Sequence, residues 1–492
     1  MSAFARAEFS NTYRALGSRF STPQAPVPVK APQLIRFNTG LADFLSLSAE
    51  LADDPLTAQY LAGNRIAARS EPVATVYAGH QFGNWNPQLG DGRALLLGEL
   101  RGRDGALYEV QLKGSGQTPY SRMGDGRSPL GPVLREYLVS EAMYAFGIPT
   151  TRSLAAVSTG ERVLRDFLLP GGVLTRVARS HVRIGTVQYF ASRGDTDAVR
   201  TLADFVIGRH YRDAIAADFA DDPYTGLLSA VIHAQARLIA QWMSVGFIHG
   251  VMNTDNMLLG GDTVDYGPCA FMDHYRADKV FSSIDAHGRY AYDRQAEIGL
   301  WNLHWLAQAL LPLMDEDQDQ AIEKARGLLE EFQPAYESHY LSLFAAKLGF
   351  ADADAPVAAR VESFLQQLAK YNLDFTLAFR ALGDQFGTEP EGVFCFPPEM
   401  QAWLDEWRAD LARHGVPDAQ AQARIRRTNP LFIPRNHRIE QAIEAAVEDG
   451  DFTLFQTLAD VLQTPFSDQP AQRELAAPPA PQEEVLRTFC GT

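Results

Sequence analysis

The nonapeptide HGVMNTDNM (249–257) holds an imidazole, a carboxylate and two amides, and VDYGP (264–268) follows it closely. Carboxylate and amide oxygens are hard donors, suited to Mg²⁺ or Mn²⁺ beside phosphates. The order matches the kinase pattern H-R-D-x-x-x-x-N followed by D-F-G. His249 falls at the kinase histidine, Asn256 at the metal-binding asparagine, and Asp265-Tyr266-Gly267 at the triplet. The kinase catalytic aspartate would stand at position 251, which is Val251, and valine cannot take a proton from a hydroxyl. Asp255 is the nearest substitute. The stretch suggests a metal–nucleotide site not arranged for ordinary phosphorylation. On these residues alone two other readings stay open. One is a metal hydrolase using His249, Asp255 and Asp265. The other is a domain whose polar residues are structural.

A polyphosphate also needs cations and close backbone approach. Lys113 ends the run ALYEVQLKG and meets a Gly-Ser-Gly turn, and Glu136 lies in the following helical stretch. A strand lysine paired with a helix glutamate is how kinases position nucleotide phosphates. In PQLGDGRA, Gly90 and Gly92 flank Asp91, and Arg93 adds charge. Glycines there let backbone N–H groups reach a phosphate, although the GKS/GKT end of a Walker A loop is missing. Asp125, Gly126 and Arg127 repeat the DGR tripeptide. RVARSHVRIG supplies Arg176, Arg179 and Arg183. In an extended chain 176 and 183 face opposite sides, so a turn or bulge is required for both to reach one ligand. Each feature also has an ordinary reading, as a tight turn or a solvated charged face.

The elements that must position these groups fall into an order. Residues 1–72 read as a peripheral segment with a Pro-rich stretch. Residues 73–175 are β-rich, with strands expected at 94–100 and 106–114 joined by RGRDG. A helix is expected over 132–149, ended by Gly147 and Pro149. Residues 176–293 form a mixed region, with a helix over 233–247 and a short strand over MLLGGDTV (257–264). Residues 294–465 read as a helical extension, and 466–492 as a loosely attached tail carrying Cys490. The fold class expected is α+β.

Net charge is −16, which argues against nucleic acid as a partner, since backbone binding needs Lys/Arg clusters. No run is apolar enough to span a membrane, and no signal peptide is evident, so a cytoplasmic location is expected. Three cysteines, Cys269, Cys395 and Cys490, make no disulfide framework. A thiol near the end of a mobile tail could serve as a redox handle.

YAGHQFGNWNPQLGDGRA, LKGSGQTPYSR, DGRSPLGPVLREYLVSEAM, HGVMNTDNM, DYGP and NPLFIPRNHRIEQAI closely resemble the selenoprotein O family, also called YdiU or UPF0061. The resemblance runs from about residue 35 to the C-terminus. It implies a two-lobed, protein-kinase-like (pseudokinase) fold with an additional helical region. The implied activity is protein adenylyltransferase: AMP passes from ATP to Ser, Thr or Tyr hydroxyls of proteins, with release of pyrophosphate. ATP is held flipped relative to kinases, with the γ-phosphate inward.

Carried onto this chain, the resemblance makes Gly90, Gly92, Arg93, Lys113, Asp125, Gly126, Arg176, Arg183 and Asp265 nucleotide-binding, with Glu136 supporting Lys113. Asn256 and Asp265 become ligands of Mg²⁺ or Mn²⁺, and Asp255 the proton acceptor. Transfer of UMP from UTP, and a catalytically silent nucleotide-binding protein, are the alternatives. Cys490 occupies the place of the family's selenocysteine or cysteine. The family's partner position for that tail residue corresponds to Phe281 here, which leaves Cys269 as the cysteine in that segment.

Overall fold

The computed structural model describes residues 4–387, 391–392 and 394–489. Its strands are β1 Ser21–Pro23, β2 Gln33–Phe37, β3 Val73–Thr75, β4 Gly79–Gln81, β5 Asn84–Asn86, β6 Ala94–Arg101, β7 Leu107–Lys113, β8 Ser128–Pro129, β9 Arg152–Leu164, β10 Leu168–Ala178, β11 Phe247–Ile248 and β12 Ala270–Phe271. The apolar run of β6, the period-two pattern of β7 and the turn at 102–106 make the expected antiparallel hairpin, with Ala94 opposite Lys113. The main sheet runs β1-β3-β6-β7-β10-β9-β2, with β8 on β10. β4–β5 and β11–β12 form separate two-stranded ribbons. With its helices this is an α+β architecture.

Period two sends Val110 and Leu112 to one face of β7 and Glu109, Gln111 and Lys113 to the other. Both faces are buried. Val110 and Leu112 join a core with Val157, Val173 and Val177 of the sheet and Phe4, Phe9, Leu41 and Leu61 of the first 72 residues. That segment is therefore not peripheral. It supplies β1 and β2 and covers one face of the sheet. Its strands are three and five residues long, too short for alternation to show.

The other face carries the helix Leu130–Ala145, whose Leu130, Val133, Leu134 and Leu138 are fully buried. Each such side chain contributes roughly 1.5–3 kcal/mol of burial. The helix Pro223–Ser244 begins ten residues before the expected 233, with proline in its first turn. It leads through β11 into residues 249–257. β11 pairs with β12, which begins shortly after the DYG triplet. The short strand expected over 257–264 does not form. That stretch makes only single bridges, Leu258 to Arg183 and Thr263 to Thr150.

From Gln295 the chain is helical, as its composition indicates. The late helices return to the sheet side: Phe455 packs on Tyr137 with ring centroids 5.7 Å apart, and Arg135 pairs with Glu440. The stretch expected as a loose tail is tied down over its described part. Leu475 and Ala476 are buried, the Thr488 N–H donates to the Phe281 carbonyl (2.8 Å), and its hydroxyl donates to the Pro268 carbonyl. Among the described residues no helix is long and apolar enough to cross a membrane.

Candidate active site

A cleft of about 970 Å³ opens between the sheet and the segment 251–268. β7 ends at its floor and delivers Lys113. The helix Leu130–Ala145 delivers Glu136, which is 2 % exposed. Lys113 Nζ donates to Glu136 Oε2 at 2.5 Å, the lysine–glutamate pair that the sequence suggested. Arg176, from β10, donates from Nε (2.8 Å) and Nη2 (2.5 Å) to the other Glu136 oxygen. A carboxylate buried without such partners would be protonated. Here Arg176 and Lys113 override the burial cost and hold Glu136 below the usual carboxylate range.

The parity problem of Arg176 and Arg183 resolves at the end of β10. The strand stops at Ala178 and the chain turns, so that Arg183 becomes the residue before the helix Ile184–Ala191. Both guanidiniums then reach Asp265: Arg176 Nη2 at 2.7 Å and Arg183 Nη2 at 3.3 Å, with Lys113 Nζ at 3.1 Å. Asp265 has φ +63°, a left-handed conformation uncommon for a non-glycine residue and frequent where a site requires it. Burial raises a carboxyl, yet Arg176, Lys113 and Arg183 together drive Asp265 well below the ordinary range. Lys113, Arg176 and Arg183 thus converge on Asp265, with Glu136 behind the first two and Asp91 beside the third, and a polyphosphate entering the cleft would meet all three cations at its floor.

Asp255 has the opposite environment. Its Oδ2 accepts from Gln81 Nε2 at 3.0 Å, while Oδ1 is buried without a partner. Burial pushes its carboxyl up to about 6. Asn256 donates its amide to the Val251 carbonyl at 2.9 Å, which leaves the amide oxygen as its free end. Asn256 and Asp265 thus present hard oxygen donors on the cleft wall, a set that fits Mg²⁺ or Mn²⁺. His249 does not belong to the cleft lining. It is fully buried, with Nε2 2.9 Å from the Val264 carbonyl, and burial lowers its pKa. It ties the loop to the segment before Asp265, which removes it from the metal-hydrolase reading.

The glycine-rich segments form the opposite wall. A β-carbon on Gly90 (φ +113°) would meet the Tyr120 ring at 2.5 Å, and one on Gly126 (φ +66°) the Gly116 carbonyl oxygen at 2.1 Å. The two DGR tripeptides differ in role. Asp91 is buried, accepts from the Thr75 hydroxyl at 2.6 Å and faces Arg183 at 3.6 Å. Asp125 lies on the exposed rim, held by both Arg165 terminal nitrogens at 3.0 and 3.1 Å. Arg93 lines the cleft.

Sequence reasoning missed Gln81, Gly79 and Tyr77, and gave Asp91 no role. Tyr77 lies under the Arg183 guanidinium, 4.4 Å from the ring centroid. The repeated DGR was the one signal that could have drawn attention to Asp91. Cys269 is buried and burial pushes its thiol up to about 12, far from a reactive thiolate. Cys490 lies outside the described residues.

Residues 3–463 match the family described as "Protein adenylyltransferase SelO". The chain belongs to this family, and is an enzyme of the nucleotidyltransferase class. It is 54% identical over 487 residues to "Protein nucleotidyltransferase YdiU" of Jannaschia sp., covering 98% of this chain and 99% of that one. It is 52% identical over 489 residues to the protein of the same name from Rhizobium etli, covering 98% and 97%. The relative from Rhodopseudomonas palustris, also so named, is 53% identical over 490 residues, covering 98% and 99%.

Proposed function

We propose that this enzyme transfers AMP from ATP to Ser, Thr or Tyr hydroxyls of proteins and releases pyrophosphate. The observation that carries the reading is the convergence of Lys113, Arg176 and Arg183 on Asp265 at the cleft floor, with no carboxylate at position 251. The family description and the relatives' names support it. So does a kinase-like arrangement of parts: strand lysine on helix glutamate, His249, Asn256 and the DYG triplet in kinase order.

In this reading the three cations hold the inner phosphates, and Gly90, Gly92, Arg93, Asp125 and Gly126 form the outer nucleotide wall. Asn256 and Asp265 hold Mg²⁺ or Mn²⁺, which when bound neutralises phosphate charge and supports the departure of pyrophosphate. The preorganised arginines stabilise charge that builds on the transferring group. Asp255 accepts the hydroxyl proton. A carboxylate raised to about 6 is still mostly ionised at neutral pH and closer to the strength a general base needs.

The test is mass spectrometry of an acceptor protein after incubation with enzyme, ATP and Mg²⁺ or Mn²⁺. An AMP-sized addition on Ser, Thr or Tyr is expected. A phosphate-sized addition, or none with ATP demonstrably bound, overturns the proposal.

A further inference from the structure

The β4–β5 ribbon is a thin wall with two different faces. On the cleft side Gln81 holds Asp255. At its turn the Phe82 N–H donates to Asn253 Oδ1 (3.1 Å), and the Tyr290 hydroxyl donates to the same oxygen (2.6 Å). On the far side His80 stands opposite Trp85, stacks on Trp305 with ring centroids 3.9 Å apart, and meets Trp301 edge-on at 5.4 Å. Three of the chain's six tryptophans gather here. They do not close into a core: Trp85 is 39 % exposed and Trp301 and Trp305 are half-buried. Partly exposed tryptophans in a cluster have the composition of an interface centre, not of ordinary surface.

A cation lies against this cluster. The Arg289 guanidinium sits 4.6 Å from the Trp301 ring centroid, and its Nε is buried without a hydrogen-bond partner. It makes no ion pair among the described residues. The carboxylate one turn before it, Asp285, is committed to the backbone N–H groups of Arg289 and Tyr290 at 2.9 and 2.8 Å. The guanidinium is held in place by the Trp301 ring and the Tyr290 hydroxyl, with no carboxylate of its own among the described residues, so a carboxylate from outside complements it.

Resting on the transfer reading above, we infer that Trp85, Trp301, Trp305 and Arg289 form the docking surface for the acceptor protein. They would take a segment that presents a large apolar side chain to the tryptophans and a carboxylate to Arg289. Such a segment, passing around the Phe82–Gly83 turn, brings its hydroxyl to the Asp255 side of the cleft. The surface is continuous with the site through the ribbon, so binding energy gained outside is delivered where proton acceptance is proposed.

The experiment uses the full chain and two fluorescein-labelled peptides, each with one serine. One has flanking glutamate and phenylalanine; the other has lysine and phenylalanine. Anisotropy should show the glutamate peptide binding the wild type roughly tenfold more tightly, and Arg289→Gln should abolish the preference. Trp85→Ala should weaken both peptides while ATP affinity stays within about twofold. Equal binding of the two peptides by wild type, or a preference that survives Arg289→Gln, overturns the docking surface. The same samples are then given ATP and metal. Preferential binding without AMP on either peptide overturns the transfer reading and leaves the docking surface standing. Labelling of both peptides at equal KM overturns the docking surface and leaves transfer standing.

Discussion

Gln81 and Asp255 are 174 positions apart in the chain, yet the Gln81 side chain donates to one Asp255 oxygen at 3.0 Å and the other oxygen has no partner. Burial raises Asp255, and the Gln81 bond opposes it together with a backbone N–H and the Arg183 charge. If the carboxylate is the proton acceptor, transfer falls as pH drops through about 6. Gln81→Ala removes a bond that favours the charged form, so its acid limb should move to higher pH. The measurement is kcat/KM against pH for both proteins. Superimposable acid limbs would exclude Asp255 as the group that titrates.

Gly79 makes room for the same carboxylate. A β-carbon there would lie 2.4 Å from Asp255 Oδ1. Gly79→Ala must turn the carboxylate or shift the ribbon. We expect kcat to fall about tenfold to a hundredfold, as misplacement near 1 Å does, with ATP affinity little changed. Asp255→Asn should reduce transfer by about 10²–10⁴ while its thermal midpoint equals or exceeds that of the wild type, because a buried charge with an unpartnered oxygen is removed. A lower midpoint for Asp255→Asn would mean that the carboxylate is structural.

Glu136 neutralises Lys113 and Arg176 inside the protein, and Glu136→Gln leaves both cations short of a partner. Breaking a buried pair costs about 3–5 kcal/mol. The folded carboxyl sits below its ordinary value, so its stabilisation is present above the ordinary glutamate range and is lost as pH falls through the depressed value. The variant should therefore melt well below the wild type at neutral pH, with the two converging in acid. A gap that stays constant down to the acid transition would count against this account. Lys113→Ala should weaken ATP by about tenfold in calorimetry. Asp265→Ala should abolish metal-dependent transfer, and undiminished yield at saturating metal would sink its role as a ligand.

The site was legible wherever chemistry is written in contiguous residues. The Lys113–Glu136 pair, Asp265 and Asn256 follow from motif order, β7 from alternation and β6 from its short apolar run. Arg176 and Arg183 were legible as charges but not as neighbours, because the turn after Ala178 has no glycine or proline to announce it. Gln81 was invisible for a different reason. A glutamine in a three-residue strand carries no periodic signal, and its partner comes from distant chain. The first 72 residues were misjudged because short strands and prolines look like surface, although Pro23 ends a strand that pairs with β3.

Lys347 shows what sequence pattern could not reveal outside the site. It closes the helix Phe332–Lys347, fully buried, with Nζ 2.7 Å from Asn429 Oδ1 and 4.2 Å from the Phe379 ring centroid. No carboxylate pairs with it among the described residues, and burial pulls its pKa down to about 7. Below about 7 the amine is charged in both folded and unfolded chains, and the fold carries the full cost of holding that charge in an apolar site. As pH rises from there toward the unfolded lysine value, the folded amine is neutral while the unfolded one still binds a proton, and the cost declines. Lys347→Met keeps the length and removes the charge. Its stability gain over the wild type should be largest near pH 6 and should shrink steadily toward about pH 10 in urea titrations. A gain independent of pH would assign the effect to packing, and a loss at every pH would show that the Asn429 bond and the aromatic contact outweigh the buried charge.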